Sequence, residues 1–372
     1  MAERPKIPVK IQNELWARAA GRCEFRGCNK LVFRDALTKN RSNLSVISHI
    51  VAALPGGPRG DSVRSPELCT DIQNLMLTCS EHGHLVDDLA LVAQYPEALL
   101  LEFKKEHEER IQRLTGITRD SQSRVLIFQA PVNGQAPPVP ESQATQAILP
   151  RYPADERATV LSLNDFGRRV SDADYVALAA DTLRTKVAEL RRVQEADPKL
   201  LSVFALGPIP LLVLLGRELG DVWDVDAYQR HRTTESWSWP TTEGPEEFYK
   251  TTLPEASGTE SAVLLSVSGA VDATAVATMI PAGVGVYEIR AARRSLDFLQ
   301  SKARLDAFSL AARDLMSRLH ERGVTKVHVF AAVPSPVAVE FGRAARKLSG
   351  DLLVYEYDEG DRCYGNPLTI TV

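Results

Sequence analysis

No stretch of this 372-residue chain stays apolar for the ~18 residues a membrane helix needs. The longest apolar run, around Leu206–Leu215, contains Gly207, Pro208 and Pro210, which a spanning helix rarely holds together. The opening residues, MAERPKIPVK, lack the apolar core of a secretory signal. The expectation is a cytoplasmic protein with no membrane segment. Cysteine is scarce: five residues in a chain without an export signal argue against a disulfide framework and for metal ligands or free thiols. Four of the five (Cys23, Cys28, Cys69, Cys79) fall within the first 79 residues. After residue 159 there is no GxGxxG at a strand-to-helix turn, no P-loop and no GxSxG.

What is present describes an ordinary globular protein, 44% hydrophobic and 25% charged, long enough for two or three domains. Its charge is uneven. Residues 1–66 hold 12 Lys and Arg against 5 Asp and Glu, a surplus of +7 that leaves −11 for the rest of a chain of net charge −4. A basic front end on an acidic body suits contact with a polyanion, although a solvated basic surface gives the same count.

Residues 9–20 read as a short helix, with Ile11, Leu15 and Ala19 at a spacing of four and Gly21 as its stop. From Cys23 to about Leu91 the chain is short-segmented and turn-rich, the pattern of a region that needs a metal or a large partner. Residues 96–114 form an amphipathic helix, on whose charged face His107 is expected to be solvated. The Pro-, Gln- and Ala-rich stretch within 117–157 reads as an interdomain linker. Beyond it, candidate strands at Thr159–Leu163, Leu201–Leu206, Ala262–Ser268, Gly285–Ile289, Lys326–Val333 and Leu352–Tyr357 alternate with helices near 173–195, 208–219, 296–321 and 336–348. That alternation predicts a mostly parallel sheet covered by helices, with no sequence repeat at a fixed period.

Two close pairs, Cys23-x4-Cys28 and Cys79-x2-His82, supply the thiolates and imidazole of a closed tetrahedral zinc site. Zinc would join turns distant in sequence and staple a region without a large core. Buried free cysteines beside a surface histidine are the alternative, and Cys69 is expected to be a small buried residue.

Between the pairs lie Ser48-His49-Ile50, Gly56-Gly57 and Asn74-Leu75, and after them Val86-Asp87. The ordered set Cys-x4-Cys, His-Ile, Asn-Leu, Cys-x2-His, Val-Asp resembles the HNH nucleases of the ββα-metal class over residues 10–90. The resemblance implies that His49 is the general base that deprotonates the attacking water. It implies that Asn74 and His84 hold one catalytic divalent ion, Mg2+ or similar, and that Lys and Arg secure double-stranded DNA by its phosphates. Taken singly, His49 could be a hydrogen-bonded core residue and Asn74 a turn residue. Two positions depart from the pattern. Relatives often carry an acidic residue or histidine where this chain has Ser48, and a second histidine where it has Gly83.

The segments FALGPIPLLVLLGREL, YQRHRTTESWSWP, LLSVSGAV, VHVFAAVPSPVAVEFGRAA and LLVYEYD resemble the SAVED domain, which is related to CARF domains. An HNH module in front of SAVED is similar to effectors of CBASS, the bacterial cyclic-oligonucleotide antiphage system. The implied architecture is an α+β ββα-metal module with structural zinc at 1–116, a linker at 117–157, and an α/β CARF-related domain of two Rossmann-like units at 158–372. The implied ligand is a cyclic di- or trinucleotide, and the implied outcome is homo-oligomerisation to a dimer or tetramer that turns on DNA cutting. Such a ligand needs aromatic faces for its bases and cationic or N–H groups for its phosphates. Candidates are Arg232 and Trp237, in a cluster with Arg230 and Trp239; Ser268 and Gly269; Pro334 and Ser335 at a helix start; and Tyr357 at a strand end. Core packing of the tryptophans is the equal alternative, and Arg293 and Arg294 read as solvated. Two other functions remain open: a ligand-responsive, zinc-stabilised DNA binder with a degenerate HNH site, and an ungated restriction-type HNH endonuclease.

Overall fold

The computed structural model describes residues 6–35, 37–41, 43–132, 135, 138–164, 173–193, 199–240, 248–254, 258–358, 360 and 362–371. The chain divides into two compact units, Met1–Thr118 and Arg119–Val372. No described helix is long and apolar enough to cross a membrane.

Unit 1 opens with α1 (Val9–Arg18), which buries Leu15. Ala20 and Gly21 both turn to positive φ, at 51° and 62°, and this ends the helix. A short hairpin follows, β1 (Ser45–His49) antiparallel to β2 (Leu75–Cys79), with His49 opposite Leu75. The loop between them carries the one-turn helix α2 (Arg64–Leu68). α3 (Ser80–Asp87) starts directly from Cys79 and packs on the hairpin, so the order is strand, strand, helix. α4 (Glu97–Thr115) closes the unit. Apolar residues form two small clusters, one around Leu15, Leu75 and Leu77, the other around Ile50, Met76, Val86, Leu100 and Phe103. His107 does not lie on a solvated face. It is buried, shares a hydrogen bond with Ala19 O at 3.0 Å through Nε2, and receives one from Arg110 at Nδ1. The amphipathic pattern misleads there because α1 covers that side of α4.

Unit 2 is built of two sheets. The first contains β3 (Gln122–Gln129), β4 (Tyr152–Pro153), β5 (Thr159–Ser162), β6 (Leu200–Leu206) and β7 (Asp224–Tyr228), all parallel. β3 is central in it: β6 lines one edge, and β4 then β5 line the other. α5 (Glu141–Ala147), α6 (Ala173–Val193) and α7 (Ile209–Leu219) belong to this half. The second sheet has the order β15-β12-β11-β9-β10-β8. Its parallel centre is β12 (Asp351–Tyr355), β11 (Lys326–Ala332), β9 (Glu260–Ser266) and β10 (Gly285–Ala291). β15 (Leu368–Ile370) and β8 (Tyr249–Thr252) close its edges antiparallel. α8 (Ala273–Met279), α9 (Lys302–Glu321) and α10 (Ser335–Ala344) complete the half, beside the ribbon β13 (Tyr357–Asp358) and β14 (Cys363–Tyr364).

The stretch 117–157 is not a linker. It supplies β3, whose Val125–Phe128 run is buried, and α5. The proline-rich composition of its later part masked the apolar strand at its start. α9 begins at Lys302 rather than near residue 296, because the Ser301 side chain accepts from Arg304 N and caps it, while Leu296 stays exposed. The end expected near residue 195 for the helix from 173 lies outside the described residues.

A repeat absent from the sequence reading emerges from the fold. β6 runs into α7 and β11 into α10, and the two segments read VFALGPIPLLVLLGR (203–217) and VFAAVPSPVAVEFGR (329–343). They share Val, Phe, Ala, both prolines, a second Val, Gly and Arg at a separation of 126 residues. The glycines are the contact. A Cβ on Gly216 would overlap Val339 O, and one on Gly342 would overlap Val213 O, so α7 and α10 cross with their backbones touching. The arginines cross over: Arg217 donates to Ala345 O at 2.9 Å and Arg343 to Gly220 O at 3.3 Å. Phe204 on β6 stacks on Tyr228 on β7, and Phe330 on β11 stacks on Tyr355 on β12, at 4.6 and 4.4 Å. One apolar core runs through both halves across this helix pair.

Candidate functional site

In unit 1, Cys23 and Cys28 come from the turn after α1, Cys79 from the end of β2, and His82 from the first turn of α3. Their four ligand atoms lie within 4.8 Å of one another, the one such group of Cys, His, Asp or Glu among the described residues. His82 Nδ1 is 3.1 Å from Cys79 Sγ and 3.7 Å from Cys23 Sγ. Ligand atoms around a tetrahedral zinc stand roughly 3.3–3.8 Å apart, so the donor set and its spacing suit that ion. Phe25 stacks on the imidazole at 4.2 Å and fixes its plane. Burial pushes the Cys23 thiol up to about 12, and a thiolate there needs a cation beside it. Cys69 lies outside this group and is half-buried rather than buried, its thiol donating to Pro66 O at 3.1 Å.

His49 ends β1 and is buried, with Nε2 2.9 Å from Cys69 O. A carbonyl can only accept, so that nitrogen donates its proton to it. Asn74 departs from its expected role. Its Oδ1 accepts from Val51 N at 2.7 Å, and its Nδ2 donates to Val51 O at 2.8 Å and Leu68 O at 3.1 Å. A buried amide engaged at both ends clasps the loop after His49 and is not placed to hold an ion. Arg59 does parallel work on the same loop, donating to Ile50 O, Val86 O and, at 3.3 Å, Tyr95 O. Sequence reasoning missed it, although a lone arginine beside Pro55-Gly56-Gly57-Pro58 was the available signal.

His84 is exposed on α3, one residue past Gly83. A Cβ on Gly83 would stand 2.8 Å from Val46 Cβ and 3.1 Å from Thr78 Oγ1, so close packing of α3 on the hairpin explains the glycine. Ser48, the other departure, bonds Thr78 Oγ1 at 3.0 Å beneath it. The described side chains therefore do not assemble a donor set for a second, catalytic ion. His84 remains as a lone exposed ligand.

Unit 2 holds a cavity of about 810 Å³ at the carboxyl ends of β6, β7, β9, β11 and β12, the usual ligand position in parallel α/β sheets and of ordinary ligand-pocket size. It brings together Arg232, Ser268, Gly269, Pro334, Ser335 and Tyr357, as the sequence suggested, with Arg230 beside them. Trp237 does not belong to it. That ring is buried edge-on against Phe204 at 5.2 Å, in the core of the first sheet. Of the two readings open for Trp237, base stacking and core packing, the structure shows core packing. The cavity also holds Gln229 and Glu356, which sequence reasoning did not single out. Burial pushes Glu356 up to about 7 against the opposing effect of its bond from Ile209 N at 2.8 Å. Burial likewise raises Tyr364, helped by Tyr357, whose ring meets it at 5.1 Å.

Comparison with known proteins completes the picture. Residues 180–370 match the family described as the SMODS-associated and fused to various effectors sensor domain, SAVED. The chain belongs to the SAVED family. No curated protein matches it. Among solved structures, it is similar to the Acinetobacter baumannii Cap4 SAVED/CARF-domain containing receptor with the cyclic trinucleotide 2'3'3'-cAAA, at 15% identity and a TM-score of 0.45, over 84% of this chain and 67% of that one. The same receptor with 3'3'3'-cAAA gives 14% identity and a TM-score of 0.44, over 84% and 67%. The Moraxella osloensis Cap4 receptor gives 12% and 0.42, over 78% and 59%. The cavity lies inside the SAVED match except for Val132, which precedes it.

Proposed function

We propose that this chain is a ligand-gated DNA endonuclease of bacterial antiphage defence. A cyclic di- or trinucleotide in the unit 2 cavity drives assembly into dimers or tetramers, and unit 1 then hydrolyses double-stranded DNA with a divalent ion. SAVED membership and a cavity at the strand ends, with arginines, backbone N–H groups and Tyr357, support the sensing half. The single observation that carries the nuclease half is His49, buried at the end of β1 of a ββα unit beside a Cys and His cluster, with its Nε2 bonded to the Cys69 carbonyl.

His49 Nδ1 takes the proton of the attacking water, and the bond to Cys69 O steadies the imidazolium that results. Asn74 and Arg59 hold the loop that positions it. The basic front end binds phosphates without reading sequence. His84, exposed on α3, is the side chain that could meet a divalent ion such as Mg2+, which would supply charge stabilisation at phosphorus. Gating follows if the ligand binds the assembly-competent state more tightly than the free one.

The test is digestion of plasmid DNA with Mg2+, with and without a panel of cyclic oligonucleotides, beside a thermal-shift screen of the same panel. Cutting only when a panel member raises stability supports the proposal, and equal cutting by a monomer without ligand rejects gating. A second reading, a zinc-stabilised DNA binder that does not cut, draws on the engaged Asn74 amide and on Gly83 and Ser48, which offer no ligand where relatives often do. Tight DNA binding without cleavage under every metal and ligand tried favours that reading.

A further inference from the structure

The two halves of unit 2 repeat one motif, yet the two ends of their shared cavity differ in chemistry. α7 and α10 start on the same backbone, Pro208 at φ −60°, ψ 143° and Pro334 at φ −67°, ψ 154°. The first N–H of a helix has no partner inside it. That of α7, on Ile209, donates to Glu356 Oε2 at 2.8 Å. That of α10, on Ser335, meets no acceptor among the described residues. The residues after the second strand of each half diverge in the same sense. Gln229 and Arg230 follow β7, where Glu356 and Tyr357 follow β12. Gln229 Oε1 is buried with no partner among the described residues, while Nε2 donates to Arg230 O at 2.6 Å. An amide can turn over and offer N–H to an anion, which a carboxylate cannot do.

Resting on the cyclic-oligonucleotide reading, we infer that Glu356 orients the ligand. Its carboxylate fills the anion seat at the start of α7, so phosphodiesters are held only at the start of α10, by Ser335 N–H, Arg230 and Arg232. A cavity built on a near-twofold repeat thus takes its ligand one way round. The titratable groups that line the cavity with Glu356 are Arg230, Arg232, Glu235, Asp272, Tyr357 and Tyr364. Asp272 is already committed to capping α8, through Thr274 N and Ala275 N. Because burial holds Glu356 near 7, it is mostly neutral in mild acid and ionised in mild base. Repulsion of a phosphodiester, which keeps its charge throughout, therefore grows as pH rises.

The experiment is calorimetric titration of the full chain with 3'3'3'-cAAA, 2'3'3'-cAAA and cyclic dinucleotides, for the wild type, Glu356→Gln and Gln229→Glu, near pH ~6 and pH ~8.5. Wild-type affinity is expected to fall roughly three- to tenfold between the two pH values. Glu356→Gln, which keeps shape and an acceptor for Ile209 N–H, should bind more tightly at the higher pH and lose the pH slope. Gln229→Glu closes the second seat and should weaken binding roughly 30-fold or more. A ligand that binds the wild type but ignores both substitutions, or that Glu356→Gln abolishes, overturns the inference and leaves the sensing reading standing. Binding of no panel member by the wild type at either pH ends both.

Discussion

The two units hold themselves together by different means. Unit 1 has two small apolar clusters and gathers three thiols and an imidazole at one point. Unit 2 has one core threaded through two sheets and a pair of helices in backbone contact. Three thiols and an imidazole at one point suit a shared cation that would reinforce those two clusters. The single core of unit 2 rests instead on the close approach of α7 and α10 at Gly216 and Gly342.

That contrast is sharpest under metal removal. Structural zinc contributes on the order of 10 kcal/mol or more to such modules. Chelation, or Cys79→Ala, is expected to unfold unit 1 while unit 2 keeps its transition, read as two separate steps by calorimetry with bound zinc followed by elemental analysis. A single unchanged transition after complete zinc loss would break the comparison. His49→Ala is expected to lower DNA cleavage ~10²-fold to 10⁴-fold with both transitions unmoved, which separates chemistry from folding within unit 1.

In unit 2 the corresponding weak points are Gly216 and Gly342. Gly342→Val should cost about 3 kcal/mol or more, because no side-chain motion relieves a clash with the Val213 carbonyl. Its transition should fall by about 6–12 °C while that of unit 1 stays in place. Asn74→Ala, which frees Val51 N and O, should cost about 1–3 kcal/mol and lower cleavage with zinc retained. Trp237→Phe is the smallest change, with ligand affinity within about twofold in titration and a cost of about 1–2 kcal/mol from a shrunken core residue. A tenfold loss of affinity would return Trp237 to the cavity.

The sequence exposed several of the side chains that the fold gathers but little of their arrangement. Cys23, Cys28, Cys79 and His82 were legible as a set because metal ligation depends on residue type and short spacing, which are local. Ser268, Pro334, Ser335 and Tyr357 were legible because ligands gather at strand ends, and strand ends can be read from apolar runs. Trp237 and His107 were not legible, since whether a ring is covered depends on partners far along the chain. The 126-residue repeat was written in the sequence and still went unread, its identities scattered among ordinary apolar residues until Gly216 and Gly342 were seen facing each other's backbones.

By itself the sequence determined the cysteines and histidine that the fold of unit 1 gathers, the charge asymmetry between front and body, and the alternation that makes unit 2 an α/β domain. Each of these is set by residue identity within a few positions. Only the tertiary structure decided that Asn74 clasps a loop, that Gly83 is required by α3 packing on its hairpin, and that Glu356 reaches the start of α7 from the opposite half. Those outcomes depend on which backbone N–H groups and carbonyls come within hydrogen-bond range across long sequence separations, and no local pattern encodes that distance.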